Sequence, residues 1–252
     1  VGMDDEALFG KVFHSLSFGQ AISRKPNLLT DYQVIIIGVD NPMIAKWIKD
    51  RELLALDPNN TMDAQTLASQ IGLLKAINDY NLKRVISFHS RVNRAESFVN
   101  EIQMVSSWIP KKHRPSGKLI ADFVSGVMPT DKRRQKLDRL KGLDSDERGI
   151  LSNARCLSEG VDVPSLDGIA FIDPRASQID IIQAVGRAIR LSGNKKIGTI
   201  ILPVFIEDGA NAQASIEASN FKPIWAVLNA LKAHDDVLSQ ELDQARTALG
   251  KQ

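Results

Sequence analysis

The sequence predicts an α/β fold, a mostly parallel sheet covered by helices on both faces, and three observations carry that expectation. Apolar strand-like runs alternate with helical stretches instead of tight hairpin turns, which is the pattern of parallel crossovers. The runs Gln33-Val34-Ile35-Ile36-Ile37-Gly38-Val39 and 197–204 show no alternating polar face, as strands buried on both sides require. Finally, 252 residues of which 43% are hydrophobic supply enough apolar mass for a sizeable core.

The elements follow in order. Residues 1–31 mix acids (Asp4, Asp5, Glu6), scattered aromatics and a Lys25-Pro26-Asn27 break without sustained periodicity, and read as a lead-in. A strand over 33–39 opens the domain. Leu67, Ile71, Leu74 and Ile77 recur at helical intervals and predict a helix over 63–80. Strand 83–89, helix 91–107, strand 118–124 and helix 130–142 come next, the last with Thr130 as N-cap after Pro129. Strand 148–152, a short helix near 155–159, strand 167–172, helix 177–190 and strand 197–204 complete the sheet domain, taken as 32–206. From 207 to 252 strand character is lost, and Ile224, Val227, Leu228 and Leu231 mark an amphipathic helix, with a second near 235–248.

Composition excludes several classes. A net charge of +2 is too mild to announce nucleic acid by itself, since a total says nothing of where charge sits. Cys156 is the only cysteine, so no internal disulfide and no cysteine-built metal site can form, and a reducing compartment is expected. His14, His89, His113 and His234 lack helical ligand spacing, and no metal site is expected. The apolar runs fall short of a membrane span and no leader opens the chain, so a cytoplasmic protein without a membrane partner is expected.

Chemistry concentrates in Gln183-Ala184-Val185-Gly186-Arg187-Ala188-Ile189-Arg190. On a helix, Gln183, Arg187 and Arg190 stand at i, i+4 and i+7 and share one face, with Ile181, Ile182, Val185 and Ile189 opposite. Two neighbouring guanidiniums repel, and a polyphosphate between them relieves the repulsion through bidentate contacts that Lys cannot match. Gly186 removes a side chain beside Arg187, so that backbone or ligand can approach. A solvated basic helix face would explain the same spacing. Against it stands Ala154-Arg155-Cys156-Leu157-Ser158-Glu159-Gly160-Val161-Asp162-Val163-Pro164, which follows a strand; the C-terminal ends of strands are where open α/β sheets bind ligands, and the guanidiniums of Arg187 and Arg190 are expected to project from that same edge.

On these residues the chain resembles the second, C-terminal RecA-like domain of superfamily 2 helicases. Gln-x-x-Gly-Arg-x-x-Arg at 183–190 resembles motif VI, and Glu-Gly-Val-Asp-Val-Pro at 159–164 resembles the end of motif V. Val85-Ile86-Ser87-Phe88-His89-Ser90 is similar to motif IV, and Ser125-Gly126-Val127-Met128-Pro129 with Arg133 to motif IVa. The likeness is closest to the type III restriction enzyme Res subunit and the DEAD/DEAH helicase-like group, covers about 83–205 best, and extends to Phe9-Gly10-Lys11-Val12 and Leu28–Tyr32 as the passage out of motor domain 1. Ala154 departs from the pattern, because many relatives carry Thr there, which brings a hydroxyl contact to a phosphate into question.

The resemblance implies an ATP-dependent DNA or RNA helicase or translocase. Arg187 and Arg190 would reach the γ-phosphate of ATP held on motor domain 1 of the same polypeptide, with Arg190 as the finger. Gln183 would sense the phosphate or the attacking water, and Gly160 and Asp162 would line the nucleotide side, Asp162 contacting the ribose or Arg187. ATP and Mg²⁺ are expected in the full-length enzyme and neither bound tightly to this chain, which carries no G-x-x-x-x-G-K-S/T loop and no motif II strand and should be inactive alone. A non-catalytic nucleic-acid or partner-binding module on the same fold is the alternative.

Residues 82–142 carry fourteen Lys or Arg against five Asp or Glu, a local excess suited to a phosphate track. Arg91, Arg94, Lys111, Lys112, Arg114 and Arg133 are candidates, though an exposed loop kept soluble by cations has the same composition. Ser90, Ser125 and Gly126 at strand ends, with Arg94, Arg133, Ala154 and Arg155, form the nucleic-acid set. Trp108 either stacks on a base or edges the core. Trp47 and Trp225 are expected to pack, and Cys156 to lie beneath motif V.

Overall fold

The computed structural model describes residues 18–40, 64–154, 156, 166–173, 178–191, 197–206, 222 and 224–225. Six strands form one sheet: β1 (Asp31–Asp40), β2 (Arg84–His89), β3 (Lys118–Ser125), β4 (Glu147–Ala154), β5 (Gly168–Asp173) and β6 (Ile197–Ile206). Their spatial order is β1-β6-β5-β2-β4-β3 and every pairing is parallel. The helices are α1 (Phe18–Ser23), α2 (Ala64–Asp79), α3 (Val92–Trp108), α4 (Thr130–Lys141) and α5 (Gln178–Ala188).

Because successive strand residues point to opposite faces, each apolar run feeds two cores. Val34, Ile86, Leu151, Ile169, Phe171, Ile200 and Leu202 face one side, where α4 contributes Leu137 and Leu140, α5 contributes Ile181 and Val185, and Ile189 follows just after α5. Ile35, Ile37, Val85, Ile150, Ala170, Ile172 and Ile201 face the other, against Leu67, Ile71, Leu74 and Ile77 of α2 and Phe98, Ile102 and Val105 of α3. β1 lies at the edge of the sheet, yet residues of both its faces are buried, because helices lie over both sides. Ile224 is fully buried in the first core with Trp225 packed beside it. Val227, Leu228, Leu231, the helix near 235–248, Trp47 and the helix near 155–159 lie outside the described residues.

Four expectations need correction. Pro129, not Thr130, is the N-cap of α4, with φ −53° and ψ 143° and no side-chain cap bond. The Thr130 hydroxyl instead accepts from Arg133 Nη2 at 3.0 Å. β4 runs on through Ala154, because its pairing with β3 continues to Ser125↔Ala154. Ile182, expected among the buried positions, is exposed: the buried stripe of α5 is Ile181, Ala184, Val185 and Ala188, continued by Ile189 just past the helix, and Ile182 stands at its border. Lastly, α5 ends at Ala188, and Arg190 forms an antiparallel bridge with Leu29. Part of the lead-in is thus structured and docks on the sheet domain through α1, whose Ala21 is buried, and through that bridge.

Candidate functional site

Parallel pairing puts the C-terminal ends of four strands in one row. Ser125 pairs with Ala154, Ala154 with His89, and His89 with Asp173. A bulge between Phe88 and His89 skips Ile172 and brings Asp173 level with the end of β2. The helices α3, α4 and α5 each follow a strand that ends here, so their N-termini, the positive ends of their dipoles, converge on the row.

Asp173 is the negative charge within this row. Ser90 donates its hydroxyl to Asp173 Oδ2, and Arg94 Nη1 lies 3.2 Å from the same oxygen. The Arg94 side chain is 52% exposed and that of Asp173 only 15%, so the cation can turn to solvent while the acid stays in place. Just beneath, His89 Nε2 and Ser87 Oγ are 3.1 Å apart and Ser87 Oγ meets Ser152 Oγ at 2.8 Å, all buried. Phe98 packs edge-on to the imidazole at 4.9 Å. Burial pushes the His89 pKa down to about 3, with the Asp173 charge opposing that shift and Arg94 adding to it. His89 is therefore a neutral core histidine at ordinary pH.

The other nucleic-acid candidates divide. Ser125 and Ala154 are buried, and the Ser125 carbonyl accepts from Met128 N at 3.1 Å, whereas Gly126 in the following turn is exposed. Arg133, half-buried on the first turn of α4, hydrogen-bonds the Thr130 hydroxyl. Cys156 itself sits in the first core with Sγ 3.1 Å from Asn153 Oδ1, and burial raises its pKa to about 11 despite the nearby Arg133 charge. Arg155, Gly160 and Asp162 lie outside the described residues.

Topology places three of the basic candidates away from the strand-end row. Lys111, Lys112 and Arg114 follow α3 and precede β3, and so lie at the opposite, N-terminal edge of the sheet. Arg114 is also committed there: its Nη2 donates to the carbonyls of Ser107 (2.6 Å) and Ile109 (3.1 Å) at the end of α3. Arg84 likewise donates to the carbonyls of Leu140 (3.1 Å) and Lys141 (3.0 Å) at the end of α4. Two of the cations in the local count, Arg84 and Arg114, therefore cap helix C-termini. Trp108 is half-buried and packs against the second core, which favours the core-edge reading.

The arginine segment also ends at that opposite edge. Gln183 and Arg187 are both half-buried on α5, one turn apart, and a Cβ added to Gly186 would meet nothing within 4 Å. The Gln183 Oε1 is buried without a hydrogen-bond partner. Arg190 lies beyond the helix and is exposed. Gly198, near the start of β6, abuts the Ala188 carbonyl, and Asp31, at the start of β1, is level with Ile197. The arginines and the Ser90–Asp173 row thus occupy opposite ends of the sheet, and the expectation that both belong to its C-terminal edge is corrected: a helix that starts where β5 ends must return its last turn to where β6 begins.

Sequence reasoning passed over Asp173, Thr30 and Gly198. For Asp173 a local signal existed, an acid closing the apolar run Gly168–Ile172 just before Pro174. Thr30 and Gly198 carry no local signal, since their roles depend on residues distant in the chain.

An all-parallel six-stranded sheet with helices packed on both faces, entered by a docked N-terminal segment, is a RecA-like domain. Residues 72–192 match the family model described as the helicase conserved C-terminal domain. Among solved structures, the ATP-dependent type ISP restriction-modification enzyme LlaBIII bound to DNA superposes with a TM-score of 0.77 at 33% identity, over 94% of this chain and 16% of that one. An HsdR-type subunit of a type I restriction enzyme from Vibrio vulnificus shares the fold, with a TM-score of 0.53 at 18% identity over 88% of this chain and 40% of that one. Helicase 22 of Sulfolobus islandicus filamentous virus is 24% identical over 218 residues, 85% of this chain and 37% of that protein. The chain thus spans well under half the length of each of these relatives. Among the described residues, no helix is long and apolar enough to cross a membrane and no group of three or more His, Cys, Asp or Glu could hold a metal ion.

Proposed function

We propose that the chain is the second motor domain of an ATP-dependent DNA or RNA helicase or translocase, working with a phosphate-loop domain of the same polypeptide. The observation that carries this reading is the exposed Arg190 held at the end of α5, one turn beyond Arg187, in a chain whose residues 72–192 match the helicase C-terminal family model. Guanidiniums presented there can meet the γ-phosphate of ATP·Mg²⁺ bound on the neighbouring domain and offset charge that builds in the transition state. Gln183 lies one turn before Arg187, with an amide oxygen still lacking a donor, and Gly160 and Asp162 would complete the nucleotide side. At the other end of the sheet, Ser90, Arg94, Gly126 and Arg133, with Arg155, would follow a nucleic-acid backbone, helped by three helix N-termini. Support for nucleic acid as the partner comes from the 33% identical enzyme, which is described as ATP-dependent and bound to DNA.

The test is Arg190→Ala in the full polypeptide. Nucleic-acid-stimulated ATP hydrolysis is expected to fall by about three to five orders of magnitude, as for other arginine fingers, while oligonucleotide binding persists. ATPase activity equal to that of the unaltered protein would refute the assignment.

A further inference from the structure

Arg190 stands beyond the last turn of its helix, so helix geometry alone does not aim it; two features from elsewhere in the chain hold the backbone that carries it. On one side, Thr30 donates twice to the Ile189 carbonyl, from its backbone N–H at 2.8 Å and from its hydroxyl at 2.9 Å. Thr30 is buried, and the neighbouring Leu29 forms the antiparallel bridge to Arg190. On the other side, a Cβ on Gly198 would collide with the Ala188 carbonyl oxygen and stand 2.8 Å from its carbon and 3.1 Å from the Ile189 Cα. The absent side chain is what lets α5 end against β6.

We propose that Thr30 and Gly198 are positioning residues for Arg190: a backbone clamp that fixes the segment Ala188–Arg190 between the chain entering β1 and the start of β6. The inference rests on the arginine-finger reading and deepens it. A carbonyl that accepts two donors from a buried threonine has little freedom to rotate, and the peptide bond it belongs to joins Ile189 directly to Arg190. The clamp also ties the finger to the residues that lead into the domain, so a displacement of that entering segment reaches Arg190 through two hydrogen bonds and one bridge.

Thr30→Val in the full polypeptide removes the hydroxyl bond while keeping shape and the backbone donor. The kcat of nucleic-acid-stimulated ATP hydrolysis is expected to fall about tenfold, because small misplacements of catalytic groups are costly. The KM for ATP and the Kd for a single-stranded oligonucleotide should move less than about twofold, the pattern of a contact that matters only in the transition state. Thr30→Ser, which retains the hydroxyl, should recover most of the lost kcat, and Gly198→Ala should repeat the kcat defect if it folds. Unchanged kcat in Thr30→Val beside an inactive Arg190→Ala overturns the clamp alone. An equal loss of oligonucleotide binding, or no recovery with Thr30→Ser, also overturns it by marking a general structural defect. A fully active Arg190→Ala overturns the finger and the clamp together.

Discussion

Asp173→Asn is the most informative perturbation of the strand-end row. In the folded chain the Asp173 carboxylate takes both the Ser90 hydroxyl and the Arg94 guanidinium, a donor pair that would equally hold a backbone phosphate. A phosphate arriving at this edge must compete with Asp173. The competition is mild, because Arg94 is 52% exposed and its pair at 3.2 Å is screened by solvent. Pairs of that kind contribute roughly 0.2–1 kcal/mol, which corresponds to about 1.4- to 5-fold in affinity. The amide keeps the shape and still accepts from Ser90 but releases Arg94. One more available cation adds about one neutralised phosphate, so the slope of log K against log salt should steepen by about 0.7 for single strands and 0.9 for duplex. Between about 50 and 200 mM salt that slope costs the variant roughly a further threefold, so its advantage is largest at low salt and fades as salt rises. Fluorescence anisotropy with a labelled oligonucleotide across that range reads both quantities. Weaker binding with an unchanged or shallower slope would make Asp173 a residue that orders Ser90 and Arg94 for binding, and would overturn its role as a competitor of phosphate.

Two further predictions concern stability. The His89 pKa is about 3 in the folded chain against an ordinary 6.5, so the unfolded state binds the proton first as pH falls. Stability is therefore complete above about pH 6.5 and declines toward pH 3, with a loss of about 1.4 kcal/mol expected by pH 5.5. Denaturant titrations at pH 7.5 and 5.5 measure it, and a His89→Gln variant losing just as much over that interval would rule His89 out as the source. Gly149 lies under α4, where an added Cβ would stand 2.6 Å from Leu140 Cδ1 and 2.6 Å from Leu143 Cδ1. Gly149→Ala is expected to cost about 1–3 kcal/mol through overpacking, measured as a lower denaturation midpoint at unchanged slope; a midpoint equal to wild type would mean that both leucines repack freely.

The elements and the two-sided burial were legible in the sequence because they follow from local periodicity. Continuous apolar runs such as Val34–Ile37 announce strands that feed two cores, and Leu67, Ile71, Leu74 and Ile77 announce the buried face of α2. The helix that carries Gln183 and Arg187 was legible for the same reason, from the spacing of its buried stripe. Where α5 stops was not: its last turn is decided by Thr30 and Leu29, which bond Ile189 and pair with Arg190 from about 160 residues away. Charge was read as a total over 82–142, yet Arg84 and Arg114 proved to cap helix ends.

Local patterns along the chain are therefore enough for the fold class and the two apolar cores, and they show which residues carry charges and hydroxyls. Tertiary structure alone decided which of them share an edge: it set Ser90 and Arg94 against Asp173, and it put Arg187 and Arg190 at the far end of the sheet. The physical reason is range. Periodicity and propensity act over a few residues, whereas register and crossover direction bring together groups 83 residues apart, such as Ser90 and Asp173, and only the folded sheet sets which charges meet.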